Sequence, residues 1–408
     1  MQPPLRPSVP AERDLPIEGL RGLCAGLVVY AHVLAPATAL DPRWAPPAFF
    51  WWLNLGYAAV LMFFVLSGYV IGLTTSGDAS GPAVRRYLLR RFLRLVPMVT
   101  AAVLLAWCLV PSIEVRTVLG NLLFLQNSDP YPGGVIFDLM PNNPNLWSLN
   151  YEAVYYLAFI ALWRWQPRAG LVWTLLGIGM LASSAGWPAL ALLSHWACGG
   201  LYWLAGLAVA RRCAPTPGER RSHWPAALLG AYAMWTIAPL RSLLLAAEWY
   251  PLFGGTPASP HRIDFLPACV WVLAAVTGRA PQLQRRLAYG CLMWATAGGA
   301  FRFFTDTPNA VEYAGLAALT AAWLVHRREG STALLARLAP LGAVSFGVYV
   351  FAIPIQFAQA KLFPDFSGTP FTYTVRLGVV IALVLAVAWL LEVRLYPKLR
   401  RFCSRWLV

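Results

Sequence analysis

The sequence predicts an all-α fold: a polytopic transmembrane helical bundle of about ten to twelve spans, both termini cytoplasmic. Three observations carry this expectation. Of 408 residues, 59% are hydrophobic and 12% charged, and a soluble domain carries about 25% charged residues. Mean hydropathy is +0.57. Apolar runs near the ~20 residues that cross a bilayer recur from end to end.

The runs fall at 16–39, 48–74, 92–111, 146–163, 169–187, 189–210, 225–249, 264–279, 286–304, 309–326, 338–360 and 374–396. Basic residues follow them in the manner of the positive-inside rule. With the N-terminus inside, the connections assigned to the cytoplasm hold 24 Lys and Arg, against four outside, Arg43, Arg116, Arg262 and Lys361. The net charge of +15 is therefore a topology signal, and it speaks against nucleic acid as a partner. The bilayer is the partner that composition implies. The whole chain, 1–408, reads as one membrane domain with a short cytoplasmic tail, 1–15, and an external polar connection, 111–145. The N-terminal residues lack the apolar core and small-residue cleavage site of a signal peptide, so the first run should remain as a helix. Seven scattered cysteines form no CxxC pair and read as small hydrophobes, and no metal site is expected. The cluster WAPPAFFWW (44–52) reads as an interfacial aromatic belt.

Three stretches carry charge into apolar runs. In the first, Arg21 and His32 are eleven residues apart, about three turns, so they share one helix face at ~16 Å separation. Glu18 lies on that face, one turn from Arg21. A snorkelling arginine and a carbonyl-bonded histidine would explain each alone. Three polar groups on one stripe point instead to a polar cavity, since lipid exposure is expensive. In the second, RRYLLRRFLRLVP (85–97), Arg91 and Arg94 share a face, as do Arg90 and Arg94. Guanidinium forks there suit either phosphates or a membrane anchor, and charge alone does not separate the two. In the third, LWSLNYEAVYYL (146–157), Glu152 lies inside a run with Ser148 four residues earlier. An intramembrane carboxylate needs a partner, expected to be basic and from another helix. Ser67 and Gly68 allow close helix approach. Arg241, Glu248, Arg262, Asp264, Arg302, Asp306 and Arg376 suit either an outer vestibule or interhelical pairing. His195 reads as a core histidine.

These stretches resemble the acyltransferase-3 family of integral-membrane O-acyltransferases. The likeness rests on EGLRGLCAGLVVYAH (18–32), FFVLSGYVIG (63–72), RRFLRLVP (90–97) and NLWSLNYEAVYYL (145–157), in the usual order. Weaker matches are LGAVSFGVYVFAIPI (341–355) and LLEVRLYP (390–397). The resemblance implies acyl transfer, as in O-acetylation, from cytoplasmic acyl-CoA to a hydroxyl of a carbohydrate or glycoconjugate in the bacterial inner membrane. Acetyl-CoA is the expected donor, and no permanently bound cofactor is implied. His32 would be the essential histidine, with Arg21 its companion. Arg91 and Arg94, with Arg90 beside them, would hold CoA phosphates. Glu152 would be the motif glutamate. Trp147, Ser148 and Ser67 are expected to contact substrate. The chain departs from the family at Leu61, where many members are acidic, and at Ala352, where many carry histidine.

The expected mechanism has His32 as general base, with Glu152 or Glu18 orienting its imidazole. It also requires one polar tunnel from the arginine pair to His32. The rival expectation is a transporter or flippase for a glycan or lipid-linked sugar.

Overall fold

The computed structural model describes residues 14–34, 40–126, 137–181, 188–213, 221–246, 260–305 and 309–404. Most of the N-terminal tail, the middle of the 111–145 connection, Glu248 and Asp306 lie outside them. Helices account for nearly all regular structure. They are α1 (Leu15–Leu34), α2 (Gly56–Thr74), α3 (Gly81–Leu109), α4 (Val115–Leu122), α5 (Trp147–Trp165), α6 (Ala169–Leu181), α7 (Pro188–Arg212), α8 (Trp224–Ile237) and α9 (Pro239–Ala246). The C-terminal half adds α10 (Leu266–Thr277), α11 (Pro281–Thr305), α12 (Ala310–Val325), α13 (Ala333–Ala336), α14 (Ala339–Ala343), α15 (Ser345–Leu362), α16 (Pro370–Ala388) and α17 (Tyr396–Ser404). A π-helical turn, Trp389–Leu395, joins the last two. Among the described residues the only ladder pairs Arg221 with Ser331 and Ser222 with Gly330, antiparallel.

Each of the twelve apolar runs contains helix. Among the described residues, five helical segments are long and apolar enough to cross a membrane: Phe49–Thr74, Gly81–Leu109, Leu192–Arg212, Trp224–Leu244 and Pro370–Cys403. Among the described residues, runs 225–249 and 338–360 each hold two α-helices. Run 225–249 breaks at Ala238, which adopts φ +44° before Pro239 restarts the chain as α9. Run 338–360 breaks at Val344, between α14 and α15. At 29 residues, α3 is about 43 Å long, more than the ~30 Å hydrocarbon layer. Its arginine-rich first turns can therefore stand at the membrane edge while Val99–Leu109 stays in lipid.

Glycine sets the closest contacts. A Cβ on Gly68 of α2 would meet the Trp203 carbonyl oxygen at 1.9 Å, and one on Gly206 of α7 would meet that of Val65 at 1.8 Å. The two helices thus touch backbone to backbone, as small residues permit in lipid. The same device seats α1 against α13 and α14. A Cβ on Gly19 would lie 1.9 Å from the Leu335 carbonyl, and one on Gly342 would lie 1.9 Å from that of Glu18. Outward-facing Leu171, Leu175, Ile178, Leu383 and Leu390 are exposed, a surface that lipid covers at no cost.

The 111–145 connection is more than an external loop. It contains α4, and Asn142, Asn143 and Asn145 are buried in the bundle. Pro354 lies inside α15 and has no N–H for the Val350 carbonyl four residues before it. Asn143 Nδ2 donates to that carbonyl at 3.1 Å. Asn142 donates to the Ala106 carbonyl of α3 at 2.8 Å, and Asn145 to that of Tyr349 at 3.3 Å. Polar composition reads as solvent-exposed chain, but these amides are satisfied by helix carbonyls that the sequence does not show to be within reach.

Gly68→Ala and Gly206→Ala should each destabilise the protein by roughly 1–3 kcal/mol through overpacking. Thermal unfolding in detergent, compared with Gly290→Ala in the middle of α11, where no atom lies within 4 Å of the added Cβ, checks this.

Candidate functional site

The polar stripe of α1 divides between two cavities. One, the arginine cavity, is lined by Arg21, Ser67, Arg91, Arg94, Ser148 and Glu152, together with Ser345 and Tyr349 of α15. The other, the histidine cavity, is lined by His32, Asn54, Tyr57, Asn145, Trp147 and Tyr349. Val60 and Tyr349 belong to both walls. The first is a slot of about 70 Å³ and the second a wider mouth of about 420 Å³. Where the sequence reading expected one tunnel, the lining residues group into two adjoining cavities that share Val60 of α2 and Tyr349 of α15.

Arg21 anchors the first chamber. Its Nη1 donates to Glu18 Oε1 and Oε2 at 3.0 and 3.2 Å, and its Nη2 donates to Ser345 Oγ at 3.2 Å. Arg91 lies over two tyrosine rings, 5.5 Å from the Tyr87 centroid and 5.2 Å from that of Tyr156. Ring faces stabilise a desolvated guanidinium without neutralising it. Its Nε is buried with no hydrogen-bond partner, a donor that an anionic guest in the slot would satisfy. The Glu152 carboxylate accepts from the Tyr156 hydroxyl and stands within electrostatic reach of Arg94. Arg90 is exposed and does not line the chamber: on α3 the 91/94 stripe faces the bundle and position 90 faces away.

His32 opens into the second chamber. Among the described residues its imidazole bonds to neither Glu152 nor Glu18, which belong to the arginine side. The chamber wall is aromatic. Trp147 stacks on Tyr57, centroids 5.6 Å apart and planes 18° from parallel. Consecutive residues of α5 therefore serve different chambers, Trp147 the histidine side and Ser148 the arginine side. Ser67 lines the slot, while its neighbour Gly68 serves the α2–α7 contact.

Of the charges that suited either an outer vestibule or interhelical pairing, those among the described residues do not line the histidine cavity. Arg376 is fully buried and donates to the carbonyls of Phe366, Leu40 and Phe363. Arg302 pairs with Glu312, Arg262 lies 3.9 Å over the Trp235 ring, and Asp264 accepts the Leu240 N–H at 2.9 Å. His195 is buried. Leu61 and Ala352 are buried too and line neither chamber. Among the described residues no group of three or more His, Cys, Asp or Glu is placed to hold a metal ion.

Three groups at the site were not singled out from the sequence. Ser345 and Tyr349 sit one turn apart at the start of α15. Glu392, in the π-helical turn, accepts the Gly347 N–H at 2.5 Å and lies within electrostatic reach of Arg21 and Arg94. A carboxylate inside an apolar run was the available signal for Glu392. Tyr349, one of sixteen tyrosines, carried none.

A family described as acyltransferase domain matches residues 15–293, about two thirds of the chain, from α1 into α11. No curated protein and no solved structure matches the chain significantly.

Replacing Glu392 by Ala should orphan the Gly347 N–H and uncover two guanidinium groups. The expected loss is about 1–3 kcal/mol, read as a lowered melting temperature, with Glu392→Gln losing less because its amide oxygen still accepts the bond.

Proposed function

Because the chain belongs to the acyltransferase-3 family, and is an integral membrane protein on the strength of that membership and its apolar helices, we propose that it moves an acyl group, acetyl in the simplest case, from acyl-CoA to a hydroxyl of a carbohydrate or glycoconjugate. One observation supports this reading above the others. A slot lined by guanidinium groups and a mouth lined by an imidazole meet at a single wall. Two substrates of unlike chemistry entering from opposite sides would meet there.

In this reading the chain sits in a bacterial inner membrane with the α3 arginines facing the cytoplasm, as the basic-residue bias implies. Arg91 and Arg94 hold CoA phosphates by charge-assisted bonds. The pantetheine arm passes Arg21 and brings the thioester to the wall at Val60 and Tyr349. Arg21, fixed by Glu18 and Ser345, acts as a positioning residue for that arm. The acceptor enters the histidine cavity, where the aromatic faces of Trp147 and Tyr57 suit a sugar ring.

His32 takes the acceptor's hydroxyl proton, and the oxygen forms its bond to the thioester carbon. The C–S bond then breaks, and the imidazolium returns the proton to the departing sulfur. Imidazole suits both steps because its ordinary pKa lies near working pH, and such proton transfer contributes about 10²–10⁴-fold. Glu152 and Glu18 lie on the arginine side, where they balance guanidinium charge. A flippase for a glycan or lipid-linked sugar has no reason to bind CoA, so CoA binding separates the two readings.

His32→Ala should lower thiol release from acetyl-CoA, with an alkyl glucoside as acceptor, by at least about 10²-fold. Near wild-type release excludes the general-base role. Arg91→Ala combined with Arg94→Ala should raise the KM for acetyl-CoA by about 10–100-fold and remove the thermal stabilisation given by CoA. A protein that CoA does not stabilise at all would favour transport.

A further inference from the structure

Among the lining residues, two belong to both chambers, Val60 and Tyr349, and Tyr349 is the polar one. Its hydroxyl lies 2.6 Å from the Asn145 carbonyl and 2.7 Å from Ser148 Oγ. A tyrosine has one proton to give. With the Asn145 carbonyl as its acceptor, the Ser148 hydroxyl must be the donor to Tyr349. The result is a directed chain, Ser148 O–H to Tyr349 O–H to the Asn145 carbonyl, buried at the wall. In such a chain each bond polarises the next. The Tyr349 ring is held edge-on by Phe63 at 6.3 Å between centroids, so only rotation of the O–H about its C–O bond is needed to re-aim the proton.

The geometry points to Tyr349 as a catalytic residue of the acyl transfer: we infer that its hydroxyl donates to the thioester oxygen as that oxygen becomes an oxyanion. This inference rests on the acyl-transfer reading and adds to it the group that stabilises developing charge. When the acceptor oxygen bonds to the thioester carbon, the C=O electron pair moves onto oxygen. The Tyr349 proton turns from the Asn145 carbonyl to that oxygen as a hydrogen bond, without transfer. When the C–S bond breaks, the pair returns to re-form C=O, the sulfur leaves with its electrons and takes the proton held by His32, and Tyr349 turns back. Ser148 is a positioning residue that strengthens Tyr349 as a donor. The parts come from four places. The base is on α1, the donor on α15 and its support on α5, and Asn145, from the connection preceding α5, parks the proton at rest. Donors aimed at developing charge in a site closed to water are worth about 10²–10³-fold each.

The test uses purified full-length protein, acetyl-CoA and the same alkyl glucoside. Tyr349→Phe should lower kcat by about 10²–10³-fold while leaving the KM for acetyl-CoA and the CoA-induced stabilisation close to wild type. Ser148→Ala should give a smaller loss of kcat. Should Tyr349→Phe fold poorly, 3-fluorotyrosine at position 349 keeps the shape and makes the phenol a stronger donor, and kcat should then rise several-fold. Near wild-type turnover in Tyr349→Phe overturns the inference, as does a loss matched by falling CoA affinity, or a fluorotyrosine protein with unchanged kcat. Wild-type protein that releases no thiol overturns the acyl-transfer reading itself, a result separate from these.

Discussion

Arg21 cannot face hydrocarbon, and the way it is satisfied organises the protein. A lone arginine at the centre of a membrane helix costs about 2.5–3.5 kcal/mol even on insertion scales. Here its guanidinium is bonded to Glu18 on the same helix and to Ser345 at the start of α15. That second bond requires α1 to lie flush against the α13–α15 segment, and Gly19, Gly22 and Gly342 supply the space for it. Once α1 is seated there, its polar stripe is turned inward, and the same turn of α15 that holds Arg21 also carries Tyr349. The site exists because a costly charge is partnered both along its own helix, by Glu18, and across the sequence, by Ser345.

The partition between the chambers depends on a second constraint of the same kind. Pro354 leaves the Val350 carbonyl without its helical donor, and Asn143 supplies one from the segment preceding α5. Asn145, two residues on, meets the neighbouring turn at the Tyr349 carbonyl and offers its own carbonyl to the Tyr349 hydroxyl. A defect in one helix thus docks a polar segment, and that segment fixes the side chain separating the arginine slot from the histidine mouth. Proline at this point costs α15 one backbone bond and lets the segment preceding α5 dock against it.

The candidate site was legible wherever charge stood out against an apolar background. Arg21, Arg91, Arg94 and Glu152 do line one chamber, and His32 and Trp147 line the other. Helical spacing placed Arg21 and His32 on one face, but a shared face does not make a shared cavity. Spacing along one helix says nothing about which neighbour's side chain crosses the stripe between them. Arg90 lies outside the chamber for a related reason: 90 and 91 are about 100° apart on a helix, and only packing decides which of two overlapping arginine pairs faces inward.

Composition and the recurrence of apolar runs by themselves determined an all-α membrane protein, because in lipid every backbone polar group must be bonded within its own segment. The sequence also determined which runs hold helix and which of them carry charge. Tertiary structure alone decided that the polar stripe is split, that Glu18 and Glu152 serve arginines and not the histidine, and that Tyr349 stands between the two chambers. Those outcomes depend on contacts between residues hundreds of positions apart, and such contacts are set by the fit of whole helices, not by any periodicity within one.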